Sequence, residues 1–160
     1  MKKIIYFLIF RPLPEILMLN YTLMKRFDNS SIRISNYISL YLRYRLLRKF
    51  GVEFCKGAYI SKPVKLRHPV GIVIGGGAKI GNNVTIHQGV TLGVKDFNHT
   101  GKSIFCSQII EDEVIIGAGA KILGNVTIGK GAIIASNEVI TKDVPPNVIA
   151  LGNNKYRDRK

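Results

Sequence analysis

Three histidines, His68, His87 and His99, are the only imidazoles in the chain, and imidazole is the side chain best suited to take and return a proton near neutral pH. His68 lies in Arg67-His68-Pro69-Val70-Gly71, and Glu53 precedes it by fifteen residues. If the chain winds in coils of eighteen, that interval sets a carboxylate under the imidazole. A carboxylate there fixes one ring tautomer and leaves the other nitrogen free as a general base. The same spacing also suits a histidine that only closes a corner. His87, in Thr85-Ile86-His87-Gln88, occupies an ordinary turn position and is either a neighbouring site residue or a surface one. His99 falls in a polar stretch, where it either gates a substrate or does nothing.

The elements that must position these groups are announced by one pattern. A branched aliphatic recurs every sixth residue: Ile74, Ile80, Ile86, Leu92, then Ile110, Ile116, Ile122, Ile128, Ile134 and Ile140. A fixed short period is the signature of a repeat architecture. Small residues stand two places before most of these positions (Ala78, Val84, Val90, Val114, Ala120, Val126, Ala132), and Gly75, Gly81, Gly93, Gly117 and Gly129 follow them, ready for the positive φ of a tight corner. Three hexapeptides make one triangular coil, and stacked coils bury a narrow aliphatic core. The period is not 3.6, which excludes helix, and it is too uniform for antiparallel hairpins.

The ladder breaks twice. Leu66 to Ile74 spans eight residues, an insertion of two at Arg67–Gly71. Leu92 to Ile110 spans eighteen, and Val94–Ser103 between them carry no inward pattern, so this stretch reads as an extruded loop. Loops on a rigid scaffold commonly carry function.

The formal charge of +14 is uneven: ten Lys or Arg against Glu15 and Asp28 in residues 1–50 give a local +8, residues 51–154 add +3, and the tail 155–160 adds +3. Anionic partners are therefore expected at the ends. No nucleic-acid-binding motif is present, so an anionic membrane surface or a phosphorylated substrate is the better expectation. Cys55 and Cys106 have no metal-like spacing and read as reduced, cytoplasmic thiols. The apolar run Ile4–Phe10 is far too short to span a bilayer and lacks a cleavage site, so neither export nor a transmembrane helix is expected. Pro14 begins a helix running toward Arg26, and a second helix runs from about Asn36 to Phe50. On the second, Tyr37, Leu40, Tyr41, Tyr44 and Leu47 share one face and Ile38, Leu42 and Leu46 another, with arginines between. One face can dock on the solenoid; the other makes a subunit or helix–helix contact, or lies on anionic lipid.

The stretches His68–Gly75, Ala78–Gly93, Ile116–Asn125 and Val139–Pro146 resemble the serine acetyltransferase-like branch of the hexapeptide acyltransferases, over roughly residues 51–152. The resemblance implies an all-β solenoid, a left-handed parallel β-helix with a short N-terminal helical segment, trimerised with active sites between subunits and using acetyl-CoA. The expected division is a basic helical segment at 1–50, the β-helix acyltransferase domain at 51–152 and a basic tail at 153–160. Carried over, His68 matches the catalytic base and Glu53 its acidic partner, while Ala118, Gly119, Ala120 and Lys121 match positions near the pantetheine arm and Lys142 a contact to the nucleotide phosphates. No metal is expected, because metal-dependent carbonic anhydrases built on such solenoids place two histidines close together, whereas the intervals here are nineteen and twelve residues.

The departures shape the expected acceptor. Serine acetyltransferases have a much longer helical N-terminal domain, an Asp before the catalytic His and an Arg-His pair ending the loop; here those positions hold Arg67, Cys106 and Ser107. Replacing an anion by Arg67 argues against the ammonium of serine. Gly152-Asn153-Asn154 also departs from the usual Gly-Asn-Pro-Ala. The compact relatives with a short basic N-terminus are similar to O-acetyltransferases of bacterial surface polysaccharides. The expectation is thus acetyl transfer to a sugar hydroxyl of a surface glycan, with Arg67, His87, Gln88 and His99 around the acceptor. Serine O-acetyltransferase and a non-catalytic scaffold at the membrane are the alternatives.

Overall fold

In the computed structural model, residues 13–95, 107–151 and 155–158 are described. The chain divides between Lys49 and Phe50 into two units. The first contains helix α1 (Leu13–Asp28) and helix α2 (Arg33–Phe50). Pro14 stands in the first turn of α1, where its fixed φ and missing N–H cost nothing; Glu15 in that turn and Lys25 and Arg26 in the last complement the helix dipole. Helix α2 begins three residues before the expected Asn36. The Ser30 hydroxyl accepts from the Ile32 N–H at 3.3 Å and closes the preceding turn there. Asp28 ties the helices together: its carboxylate accepts from Ser39 Oγ at 2.6 Å and forms an ion pair with Arg43. Leu17, Tyr21 and Met24 of α1 and Leu42 and Leu46 of α2 are buried, while Tyr37, Leu40, Tyr41, Tyr44 and Leu47 are exposed. No helix among the described residues is long and apolar enough to cross a membrane. The run Ile4–Phe10 lies outside the described residues.

The second unit is the expected solenoid, a left-handed parallel β-helix. Strands β1 (Glu53–Phe54), β4 (Val73–Ile74), β7 (Thr91–Gly93), β10 (Lys121–Leu123) and β13 (Val139–Ile140) stack as one face. The second face holds β2 (Tyr59–Ile60), β5 (Lys79–Ile80), β8 (Gln108–Ile110) and β11 (Val126–Ile128). The third holds β3 (Lys65–Leu66), β6 (Thr85–Ile86), β9 (Ile115–Ile116), β12 (Ile133–Ile134) and β14 (Val148–Ala150), edged by antiparallel β15 (Tyr156–Asp158). All ten ladder residues are buried, and Phe54, Ile60 and Leu66 extend the ladder one coil toward the N-terminus. Burying each such side chain contributes about 1.5–3 kcal/mol.

The register records both breaks. Glu53 pairs with Val73, Val73 with Thr91, Thr91 with Lys121 and Lys121 with Val139. The first step is thus twenty residues, two more than a regular coil, and the third is thirty, so twelve residues between β7 and β8 leave the ladder. Most of this extruded segment, with His99 and Cys106, lies outside the described residues.

One expectation about the corners is corrected. Gly75, Gly81, Gly93, Gly117 and Gly129 are not left-handed; positive φ falls instead on other residues, among them Gly71, Gly89, Gly119, Gly131, Asn83, Glu113, Asn137 and Asn147. The first set is selected by space instead. A Cβ on Gly75 would meet the Leu92 carbonyl oxygen at 2.8 Å, and one on Gly129 the Pro146 nitrogen at 2.5 Å.

Ile116→Ala should lower unfolding free energy by about 2–5 kcal/mol, because a coil fixed above and below cannot collapse onto the cavity. Val139→Ala, on the exposed outer surface of the same solenoid, should change it by less than about 0.5 kcal/mol. Urea unfolding of the two variants checks the contrast.

Candidate functional site

The corner between the third and first faces gathers most of the candidate residues. It begins where β3 ends. Leu66 is buried, Arg67 donates its N–H to the Ile86 carbonyl at 2.8 Å, and the next residue, His68, leaves the strand with φ 48°. A left-handed conformation is uncommon for a residue other than glycine and tends to survive where the surroundings impose it. Here the imposition is local: Val70 N–H donates to the His68 carbonyl at 2.7 Å, Gly71 N–H to Gly51 at 2.9 Å, and Pro69 is buried. The two extra residues close this small knot, and the His68 side chain is left exposed.

Register carries the neighbours in. Leu66 pairs with Ile86 and Ile86 with Ile116, so Arg67 stands beside His87, and His68, Gln88 and Ala118 follow on successive coils about 4.8 Å apart. Gly71, Gly89 and Gly119 form the next column, all with positive φ. Their hydrogen bonds link the coils, with Gly89 N–H donating to Val70 and Gly119 N–H to Gln88. The resulting ridge has no side chains of its own, although Asn137 from the next coil fills the space beside Gly119. His87 is half-buried, and Gln88 and Arg67 are exposed.

Three candidates behave differently from their sequence reading. Glu53 does not lie under His68. Because this coil holds twenty residues, Glu53 aligns with Val73, just past the corner on the first face. Its carboxylate accepts from Cys55 Sγ at 3.6 Å, and no hydrogen bond joins Glu53 to His68 among the described residues. Lys121 donates Nζ to the Gly89 carbonyl at 2.6 Å, so its charge braces the glycine ridge. Ala120 is fully buried with its N–H and carbonyl both bonded within the coils, leaving Ala118 and Gly119 as its half-buried neighbours at the surface. Lys142 is exposed on the stretch after β13. His99 lies outside the described residues, as do Gly152–Asn154. No group of three metal-ligating side chains occurs among the described residues.

Two residues were overlooked. The contact of the Cys55 thiol with Glu53 could not be read from composition. Gln108 left a signal: it stands two places before Ile110, where other repeats carry Ala or Val. Its side chain is buried, and Nε2 donates to the carbonyls of Gly93 at 2.8 Å and Gly124 at 2.6 Å, pinning the re-entry of the extruded segment to the first face.

Comparison with known proteins gives this corner a context. Residues 109–142 match the family described as bacterial transferase hexapeptide (six repeats). A mitochondrial serine acetyltransferase of Arabidopsis thaliana is 45% identical over 119 residues, covering 72% of this chain and 29% of that protein. A serine acetyltransferase of Buchnera aphidicola is 42% identical over 130 residues, covering 75% and 46%. The crystal structure of Neisseria gonorrhoeae serine acetyltransferase in complex with serine superposes with a TM-score of 0.73 at 31% identity, covering 86% of this chain and 55% of that one. The chain thus spans 29% to 46% of the length of these two curated relatives. The expectation of a surface-polysaccharide O-acetyltransferase is overturned: these relatives are named serine acetyltransferases, and polysaccharide synthesis and a sugar acceptor find no support among them.

The left-handed backbone at His68 makes a prediction independent of activity. His68→Asn should leave the melting temperature nearly unchanged, since Asn tolerates that conformation, whereas His68→Val should cost about 1–3 kcal/mol. Thermal unfolding followed by circular dichroism distinguishes them.

Proposed function

We propose that the chain, whose residues 109–142 match the bacterial transferase hexapeptide family, is an acetyl-CoA-dependent O-acetyltransferase of the hexapeptide-repeat transferases whose acceptor is L-serine. The observation that carries this reading is the exposed His68, held at the one two-residue insertion of a solenoid similar to serine acetyltransferases. The solenoid between residues 51 and 152 carries the reaction, preceded by the helices α1 and α2 and followed by the basic tail 153–160.

His68 takes the proton of the serine hydroxyl as its oxygen attacks the thioester carbonyl. The tetrahedral intermediate collapses with cleavage of the carbon–sulfur bond, and the imidazolium returns the proton to the departing thiolate. The products are O-acetylserine and CoA, with no covalent enzyme intermediate. Backbone N–H groups suit the oxyanion, but those of Gly71, Gly89 and Gly119 already donate to neighbouring coils, so the donor comes from elsewhere at the corner. Glu53 supports the imidazole only by swinging away from Cys55 across the corner. Arg67, whose guanidinium makes no hydrogen bond or ion pair among the described residues, matches the serine carboxylate in charge and in its forked geometry. His87 and Gln88 complete the acceptor side among the described residues.

For the donor, the ridge of Gly89 and Gly119 beside Ala118 accommodates the pantetheine arm, and exposed Lys142 suits the nucleotide phosphates. The resemblance supports a homotrimer, in which a second subunit walls this open corner.

With L-serine and acetyl-CoA, release of free thiol by the wild type is expected, falling about 10²- to 10⁴-fold in His68→Asn. Thiol release unchanged in that variant, or a wild type that turns over no acetyl-CoA with serine, would contradict the proposal.

A further inference from the structure

The first unit carries a surface that the acetyl transfer leaves unexplained. On α2, Tyr37, Leu40, Tyr41, Tyr44 and Leu47 recur at spacings of three and four and so share one face. Their exposures are 73%, 63%, 61%, 57% and 49%. Soluble monomers rarely leave so continuous an apolar patch open. The opposite face is the occupied one: Ser35, Ser39, Leu42 and Leu46 are buried, and Ser39 and Arg43 bind Asp28 of α1. The tyrosine face is therefore not the helix pair's own packing surface.

Charge selects what this face meets. Helix α2 has no acidic residue, and its last turns expose Arg45, Arg48 and Lys49, with the Arg48 guanidinium 5.8 Å from the centre of the Tyr44 ring. A second copy of the helix would set cations against cations with no carboxylate on α2 to answer them. A lipid surface with anionic headgroups answers them directly. Tyrosine also suits that depth, since its ring enters the acyl boundary while its hydroxyl stays among headgroups.

We propose that α2 lies in the plane of an anionic bilayer surface, with Tyr37, Leu40, Tyr41, Tyr44 and Leu47 inserted and Arg45, Arg48 and Lys49 on the headgroups. The proposal is independent of the acceptor. The test is sedimentation of the full chain with vesicles of phosphatidylcholine alone and of phosphatidylcholine with phosphatidylglycerol. Binding is expected only to the second, weakened by added salt and reduced at least tenfold in Tyr37→Ser/Tyr41→Ser/Tyr44→Ser. Equal binding to both vesicles, or a folded triple variant that binds like the wild type, would overturn it. So would a triple variant that changes oligomeric state when the wild type binds no vesicle, because the face would then be a contact between copies. Should the triple variant not fold, Tyr41→Trp gives a single tryptophan in a chain that otherwise has none. Its emission should shift to the blue on anionic vesicles, and no shift would count against the proposal.

Discussion

Everything outward on the solenoid is placed by what happens inward, where one aliphatic side chain stacks on the next from coil to coil. Ile74, Leu92, Ile122 and Ile140 lie in register along one face, and the parallel hydrogen bonds between their strands allow no slip. A one-residue shift would turn every buried residue to solvent. Extra residues can therefore be absorbed only at corners, where they must leave the stack. The chain does this twice, with two residues at Arg67–Gly71 and twelve between β7 and β8.

The first insertion makes the site. Two surplus residues force His68 into a left-handed backbone, tuck Pro69 inward and return the chain to register by Val73. Once register is restored, the neighbouring coils set His87, Gln88 and the glycine column beside Arg67 and His68. Lys121 Nζ and Gln108 Nε2 stiffen the same scaffold by donating to backbone carbonyls of adjacent coils. Groups held by such a frame are positioned before substrate arrives, which is where positioning contributes most to catalysis.

The ladder was legible because one inward position in six admits so few residue types, and both insertions could be counted directly. What failed was finer geometry. The relation of Glu53 to His68 was judged from an eighteen-residue coil, yet the insertion that marks His68 also lengthens the coil separating them. Gly75 and Gly129 resembled turn glycines, although close approach of the next coil explains them; the left-handed positions went partly to Asn83, Glu113 and Asn137, which composition does not single out. The two faces of α2 were equally apolar in sequence, and only the ties of Ser39 and Arg43 to Asp28 show which one is turned inward. The sugar acceptor was inferred from Arg67 alone, and the relatives, named serine acetyltransferases, lend it no support.

The central claim is that the inserted corner delivers an acceptor hydroxyl to His68. It is tested most directly by a crystal structure of the protein with serine and CoA bound. The account predicts the serine hydroxyl within about 3 Å of an imidazole nitrogen of His68, with the pantetheine thiol approaching along the Gly89–Gly119 ridge. Serine bound on another face, with His68 facing only solvent, would contradict it.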